Sequence, residues 1–165
     1  MNGKSAMMFI DGQNLYHAQC DYYGTAIIDY ERFNEVLAGP YDLVRPYYFD
    51  SYRNEEDKQD FYHYLNMIGY RVEAEQLVER NNKRQEKGAD IRLATELIAQ
   101  GFNDSYDVAI VVSGDEDFTR AIKYVQDQGK FVVGAMFSNN MSGSMKPIFD
   151  RFIELDTVAD RICRW

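Results

Sequence analysis

The stretch Asp107 to Phe118, DVAIVVSGDEDF, decides how this chain is read, because an apolar run stops abruptly at a serine, a glycine and three acids. Val108 to Val112 is continuous and rich in β-branched residues, the habit of a central parallel strand buried on both faces. Ser113 and Glu116 fit the S-x-x-E capping box, which predicts a helix starting within about one residue of the strand's end. Phe118, Ala121, Ile122 and Val125 continue it at helical spacing, and Gly129 ends it. A strand running directly into a helix places Asp115 and Asp117 at the carboxyl edge of a sheet, where open α/β sheets bind their ligands. Acids in a first helical turn also favour the helix dipole. With the cap assigned to Ser113 and Glu116, both aspartates exceed what the helix needs.

The same junction recurs near the N-terminus. Met7 to Ile10 reads as a buried strand, followed at once by Asp11, Gly12, Gln13 and Asn14. Leu15, Ala18 and Tyr22 form the inner face of a helix that Gly24 breaks. Asp29 caps a second helix through Phe33, Val36 and Leu37, closed by Gly39 and Pro40. Leu43 to Phe49 reads as a strand, with Pro46 removing one ladder donor and so predicting an irregular, less central position. A helix is expected over Asp57 to Ile68, with Gly69 as terminator, and His63 beside its apolar stripe is structural or solvent-facing. Tyr70 to Val78 alternates as a half-exposed strand near a sheet edge does.

Glu79 to Gly88 is a polar turn holding Arg80, Lys83, Arg84 and Lys87, the densest positive cluster in the chain. It reads either as a solvated hairpin tip or as a phosphate-binding patch. Asp90 then opens a helix through Leu93, Ala94, Leu97 and Ile98 that stops at Gly101, and taken alone it reads equally well as an N-cap. Beyond the opening stretch, a strand is expected over Phe131 to Phe137, followed by the loop SNNMSG and a helix through Met145, Ile148, Phe149 and Phe152. A short strand at Ile153 to Leu155 and a terminal helix over Val158 to Trp165 complete the chain. Strands alternating with helices predict one α/β domain over residues 1–165, with a parallel sheet and right-handed crossovers.

Composition narrows the function classes. A hydrophobic content of 45% with 15% aromatics describes a packed globule. No apolar run approaches the roughly 20 residues of a membrane span, and the one following the N-terminus is too short for a signal peptide, so the expected location is cytoplasmic and off the membrane. With two cysteines far apart and two histidines in all, neither a disulfide framework nor a zinc set is expected, although His17 and Cys20 share a helix face. The net charge of −9 argues against broad duplex binding, which needs clustered cations. It leaves room for a nuclease whose acids are neutralised by metal.

Asp11 and Asp115 each follow a strand expected to lie at the centre of the sheet, where the winding reverses. Asp117 then converges on the same crevice, and Asp90 reaches it from a helix N-terminus. Four carboxylates in a small volume repel one another unless their pKa values rise or cations arrive. Hard oxygen ligands suit Mg²⁺ or Mn²⁺, and such ions activate water and stabilise charge on a phosphoryl group. No Ser/His or Cys/His pair offers a nucleophile, and no G-x-x-x-x-G-K-[ST] or G-x-G-x-x-G element cradles a nucleotide.

The motifs FIDGQNL (Phe9–Leu15), KGADIRLATELI (Lys87–Ile98), VVSGDEDF (Val111–Phe118) and FDRFIEL (Phe149–Leu155) resemble, in content and order, the NYN domains of the PIN-like nuclease superfamily and within it the LabA-like branch. The resemblance implies a PIN-like, Rossmann-like central parallel β-sheet flanked by helices, and metal-dependent cleavage of RNA. It also implies an acidic metal cluster of Asp11, Asp90, Asp115 and Asp117, supported by Asn14 and Ser113. The chain departs from the family pattern at Glu116, where a small or polar residue is common, and Arg92 is expected to turn outward toward the basic loop.

The resulting expectation is a ribonuclease acting on single-stranded RNA. Asp11 and Asp115 hold Mg²⁺ or Mn²⁺ directly, while Asp90 and Asp117 complete the site or orient water. Arg80, Lys83, Arg84 and Lys87 grip phosphates outside the crevice, and Asn140, Ser142 or Ser144 add hydrogen bonds. Tyr16 and Tyr22 read as packing residues in so tyrosine-rich a chain, with base stacking as the alternative. The rival function is a noncatalytic regulatory or interaction module that keeps the acidic pocket. A metal-dependent phosphatase fits less well, because Gln13 stands where a second acid would follow the first strand. A protein partner or homo-oligomer is left open.

Overall fold

A computed structural model describes residues 3–54, 56, 58–77, 79–80, 83–84 and 88–164, with the backbone alone at 79–80 and 83–84. Six parallel strands form one sheet: β1 (Ser5–Asp11), β2 (Asp42–Tyr52), β3 (Arg71–Gln76), β6 (Val108–Val112), β7 (Phe131–Met136) and β8 (Arg151–Glu154), in the spatial order β3-β2-β1-β6-β7-β8. Between β3 and β6 a two-stranded hairpin, β4 (Glu79–Arg80) with β5 (Lys83–Arg84), stands apart from the sheet. The helices are α1 (Gly12–Tyr23), α2 (Tyr30–Ala38), α3 (Gln59–Met67), α4 (Gly88–Phe102), α5 (Thr119–Asp127) and the short α6 (Ala159–Ile162).

The order reverses between β1 and β6, which pair in parallel from Ala6 with Val108 to Ile10 with Val112. These two strands are apolar on both faces because both faces are covered. Ala6, Met8 and Ile10 pack with Leu15, Phe33, Leu65 and Ile162 on one side. Met7 and Phe9 pack with Leu93, Leu97, Ile122 and Val125 of α4 and α5 on the other. At the outer end of the pair, the Asp107 carboxylate accepts hydrogen bonds from the Ser5 amide (3.0 Å) and hydroxyl (3.2 Å).

Several local expectations hold. Asp29 caps α2 by accepting from the amides of Glu31 and Arg32, Gly24 and Gly69 take positive φ where helices end, and β3 is an edge strand. Pro46 does sit in an irregular stretch. The β1–β2 register slips at Ala6/Met7, opposite Leu43 and Arg45, and β3 starts pairing only at Tyr47. The proline is nevertheless in the second strand from the edge, because no β3 partner is present to miss its N–H.

Four expectations are corrected. The stretch from Met145 to Phe152 is not a helix: a 3₁₀ turn at Lys146–Ile148, containing Pro147, leads into β8, where Phe152 pairs with Gly134. Proline tolerates only the start of a helical turn, and the edge of β7 then captures the chain. Gly101 does not end α4. It lies within the helix because the Tyr106 hydroxyl sits 2.7 Å from where a Cβ would be, and Asp104, with φ 59°, makes the turn instead. The terminal helix is only α6, preceded by a 3₁₀ turn at Leu155–Val158. Finally, the helix after β6 begins with a 3₁₀ turn at Glu116–Phe118 and is not opened by a capping box.

Candidate metal centre and the cleft around it

Asp11 is the last residue of β1 and at the same time the N-cap of α1. Its Oδ1 accepts from the Asn14 amide (3.3 Å) and its Oδ2 from the Ser113 hydroxyl (3.0 Å). Ser113, fully buried one residue past β6, spends its hydroxyl on this bond and accepts from the Asp115 amide (3.1 Å). It therefore serves the acid on the neighbouring strand and not the helix that follows. The cap of that helix is Asp115, whose Oδ1 accepts from the Asp117 amide (3.0 Å). Glu116 turns away to accept from the Ser144 hydroxyl (3.3 Å).

Asp90 stands in the first turn of α4. Carboxylate oxygens of Asp11, Asp90 and Asp115 all lie within 4.8 Å of one another, one acid from each of three separate segments. Asp117 is exposed and lies outside that trio, to which its backbone N–H is tied by the hydrogen bond it donates to Asp115 Oδ1. Asn14, by contrast, is central to the scaffold: its Oδ1 accepts from the Gly114 amide (2.9 Å), joining the first turn of α1 to the loop after β6. Gly114 admits no side chain, since a Cβ there would meet the Asn140 carbonyl oxygen at 2.0 Å. The 138–145 loop is thus pressed against the acidic junction, with Ser142 and Ser144 bonded to each other (2.8 Å).

Electrostatics single out Asp11. Burial pushes its carboxyl up to about 7, and the Asp90 charge adds to the rise, while the bonds from Asn14 and Ser113 pull it back and Asp115 raises it slightly. A buried acid that is short of positive partners and faces two others is a group poised for a cation. The donor set fits a hard divalent ion: three carboxylates, no sulfur and no histidine within the trio.

The trio opens into a crevice of about 670 Å³ whose other wall is not acidic. Arg53, Asn54 and Lys58, from β2's end and the segment leading to α3, line it together with His17 and Asn14. Neither Arg53 nor Lys58 stands out in the sequence, nor does the device that holds Lys58. Asp50, 1% exposed at the end of β2, accepts from Lys58 Nζ (2.9 Å), Tyr62 OH (2.7 Å) and Gln13 Nε2 (2.7 Å). Its signal was present in PYYFD, a third apolar run ending in an acid.

The expected basic patch is placed only in part. Arg80, Lys83 and Arg84 lie on the β4–β5 hairpin, and Lys87 falls outside the described residues. Arg92 pairs with Glu73 (3.2 Å) and with Glu75 on β3. Tyr16 and Tyr22 are each 48% exposed, and Tyr22 stacks on Phe137. Cys20 and Cys163 are free thiols. No helix among the described residues is long and apolar enough to cross a membrane.

The chain is 26% identical over 163 residues to the low amplitude and bright protein LabA of Synechococcus elongatus, covering 94% of this chain and 86% of that one. Its fold superposes on the crystal structure of a protein of unknown function from Vibrio parahaemolyticus with a TM-score of 0.85, at 21% identity, over 99% of this chain and 98% of that one. The NYN domain model matches residues 5–156, from the first residue of β1 to just beyond β8, and the chain belongs to the NYN domain family.

Proposed function

We propose that the chain is a metal-dependent ribonuclease that hydrolyses phosphodiester bonds of single-stranded RNA. The observation that carries this reading is the convergence of Asp11, Asp90 and Asp115 at the β1/β6 reversal, beside a wall bearing Arg53 and Lys58. Asp11, Asp90 and Asp115 would hold Mg²⁺ or Mn²⁺, which when bound lowers the pKa of water and stabilises charge on the phosphoryl oxygens. The chain's own contribution is placement. Ser113 and the Asn14 amide fix both oxygens of Asp11, and the Asp117 amide fixes Asp115. Asn14 locks the two junctions together through Gly114. Lys58 and Arg53 supply positive charge on the side opposite the acids, where a phosphate would otherwise be repelled. Asp117, exposed on the first helical turn, would orient water through the metal's outer shell. The basic hairpin with Arg80, Lys83 and Arg84, and Lys87 after it, would extend the grip along the strand.

Digestion of labelled single-stranded RNA by repurified protein, with Mg²⁺, Mn²⁺, Ca²⁺ or chelator, tests the reading. Cleavage that needs Mg²⁺ or Mn²⁺ and is lost in both Asp11→Asn and Asp115→Asn is the expected result. Undiminished cleavage by both variants would sink it, and tight RNA binding without turnover in any metal would favour the noncatalytic module.

A further inference from the structure

A second cavity, of about 430 Å³, adjoins the acidic crevice and shares Lys58 with it. Asp50 lines this cavity and the next residue, Ser51, lines the crevice, so the Lys58–Asp50 pair is the partition between them. The walls are aromatic: Tyr30, Tyr48 and Phe61 below, Tyr16 and Tyr64 at the mouth, with Arg164 on one side. The volume is that of a small-molecule pocket, within roughly 300–1,000 Å³.

The polar atoms of the floor are already spent on the protein. The Gln19 amide nitrogen donates to the Leu15 carbonyl (3.2 Å) and its oxygen accepts from the Ile27 and Ile28 amides. Asp50 has its three donors. What remains for a ligand is ring faces, the Arg164 guanidinium and the Lys58 ammonium. Tyr16 and Tyr64 keep 48% and 39% of their surface in water, so the aromatic surface is reachable from outside. A planar aromatic group carrying a negative charge on one side matches this chemistry: the plane stacks on tyrosine and arginine, and the charge meets Lys58.

Resting on the RNA reading above, we propose that this cavity seats one unpaired base of the substrate, with the attached phosphate on Lys58 and the neighbouring phosphate in the acidic crevice. Because the walls are chiefly ring faces, which stack on any base, the pocket selects for an unstacked nucleotide and discriminates little among bases. Double-stranded RNA cannot supply that base without breaking a pair.

The test uses the full chain with Ca²⁺ and a short single-stranded RNA carrying one 2-aminopurine, whose fluorescence falls on stacking. The expected result is quenching on binding, with affinity roughly tenfold weaker in Tyr64→Ala and restored in Tyr64→Phe. Lys58→Ala lowers the slope of log affinity against log salt by about one, and Lys58→Arg restores it. Scanning the four natural bases at the probe position changes affinity only a few-fold. If the wild type binds and cleaves RNA while the probe stays bright and Tyr64→Ala binds unchanged, the cavity inference is overturned and the nuclease reading stands. Quenching that depends on Tyr64, without cleavage in Mg²⁺ or Mn²⁺, supports the cavity and removes the nuclease. An RNA neither bound nor cleaved overturns both.

Discussion

Asp11 and Asp50 make an instructive pair. Both are buried acids at the carboxyl ends of adjacent parallel strands, yet they are treated differently. Asp50 receives an ammonium, a phenol and an amide, a set that balances its charge and fills its acceptor sites. Asp11 receives one hydroxyl and one backbone amide and faces two further carboxylates. A compensated acid holds the fold in place, whereas an undercompensated one stores a demand for positive charge. The two strand ends thus differ as a rigid anchor differs from a site poised for a cation.

The contrast is broken most severely at Asp11. Asp11→Asn is expected to lower RNA turnover by more than the roughly 10–100-fold that loss of a supporting partner costs, without loss of folded protein by circular dichroism. Its pH behaviour sharpens the point. The folded carboxyl is raised to about 7 from an ordinary 3.8, so the protonated acid favours the folded state, fully below pH 4, and that advantage disappears as pH rises through 7. In chelator, stability relative to Asp11→Asn therefore falls between about pH 4 and 7, by up to about 4 kcal/mol. Urea unfolding at several pH values reads this, and saturating Mg²⁺ should remove most of the loss.

Asp50→Ala is expected to behave in the opposite sense, costing about 3 kcal/mol of stability at neutral pH because Lys58, Gln13 and Tyr62 lose their acceptor. Lys58 is partly exposed, which keeps the figure at the low end; denaturant midpoints with unchanged m-values would check it. Ser113→Ala removes one of the two bonds orienting Asp11, and Mn²⁺ affinity by titration calorimetry should weaken about tenfold. The smallest effect is expected for Asp117→Asn, an exposed acid outside the trio: turnover falls a few-fold while metal affinity hardly moves. A collapse of metal binding in that variant would instead make Asp117 a ligand.

The topology was legible because its signals are local and repeated. Two apolar runs, one running into Asp11 and one stopping three residues before Asp115, each followed by a helical pattern, identify a parallel sheet, and the β1–β6 adjacency brings their acids together. Asp90 was legible through the family motif and through its place at the head of an apolar helix stripe. The capping box failed because Ser113 has a better partner, Asp11, 102 residues away, a competition that no local pattern records. The 145–152 stretch failed for a related reason: its apolar spacing suits a helix, but Pro147 and the open edge of β7 decide for a strand. Lys58 and Arg53 were missed because neither belongs to a cluster in sequence. The position of Lys58 depends on Asp50, which Tyr62 of α3 also reaches from afar in sequence.

The bond from Ser113 to Asp11 also bears on when the molecule becomes competent. Its partners are 102 residues apart, and β1 gains its second neighbour only when β6 is present, so closure of this long loop carries an entropic cost that local helices do not. During synthesis from the N-terminus, β1, β2 and β3 can assemble while the acidic centre does not yet exist. A chain released before Val112 would carry Asp11 without its hydroxyl partner and without Asp115. The acidic trio therefore cannot close before β6 and Asp115 are made, and products of translation truncated ahead of them are built without it.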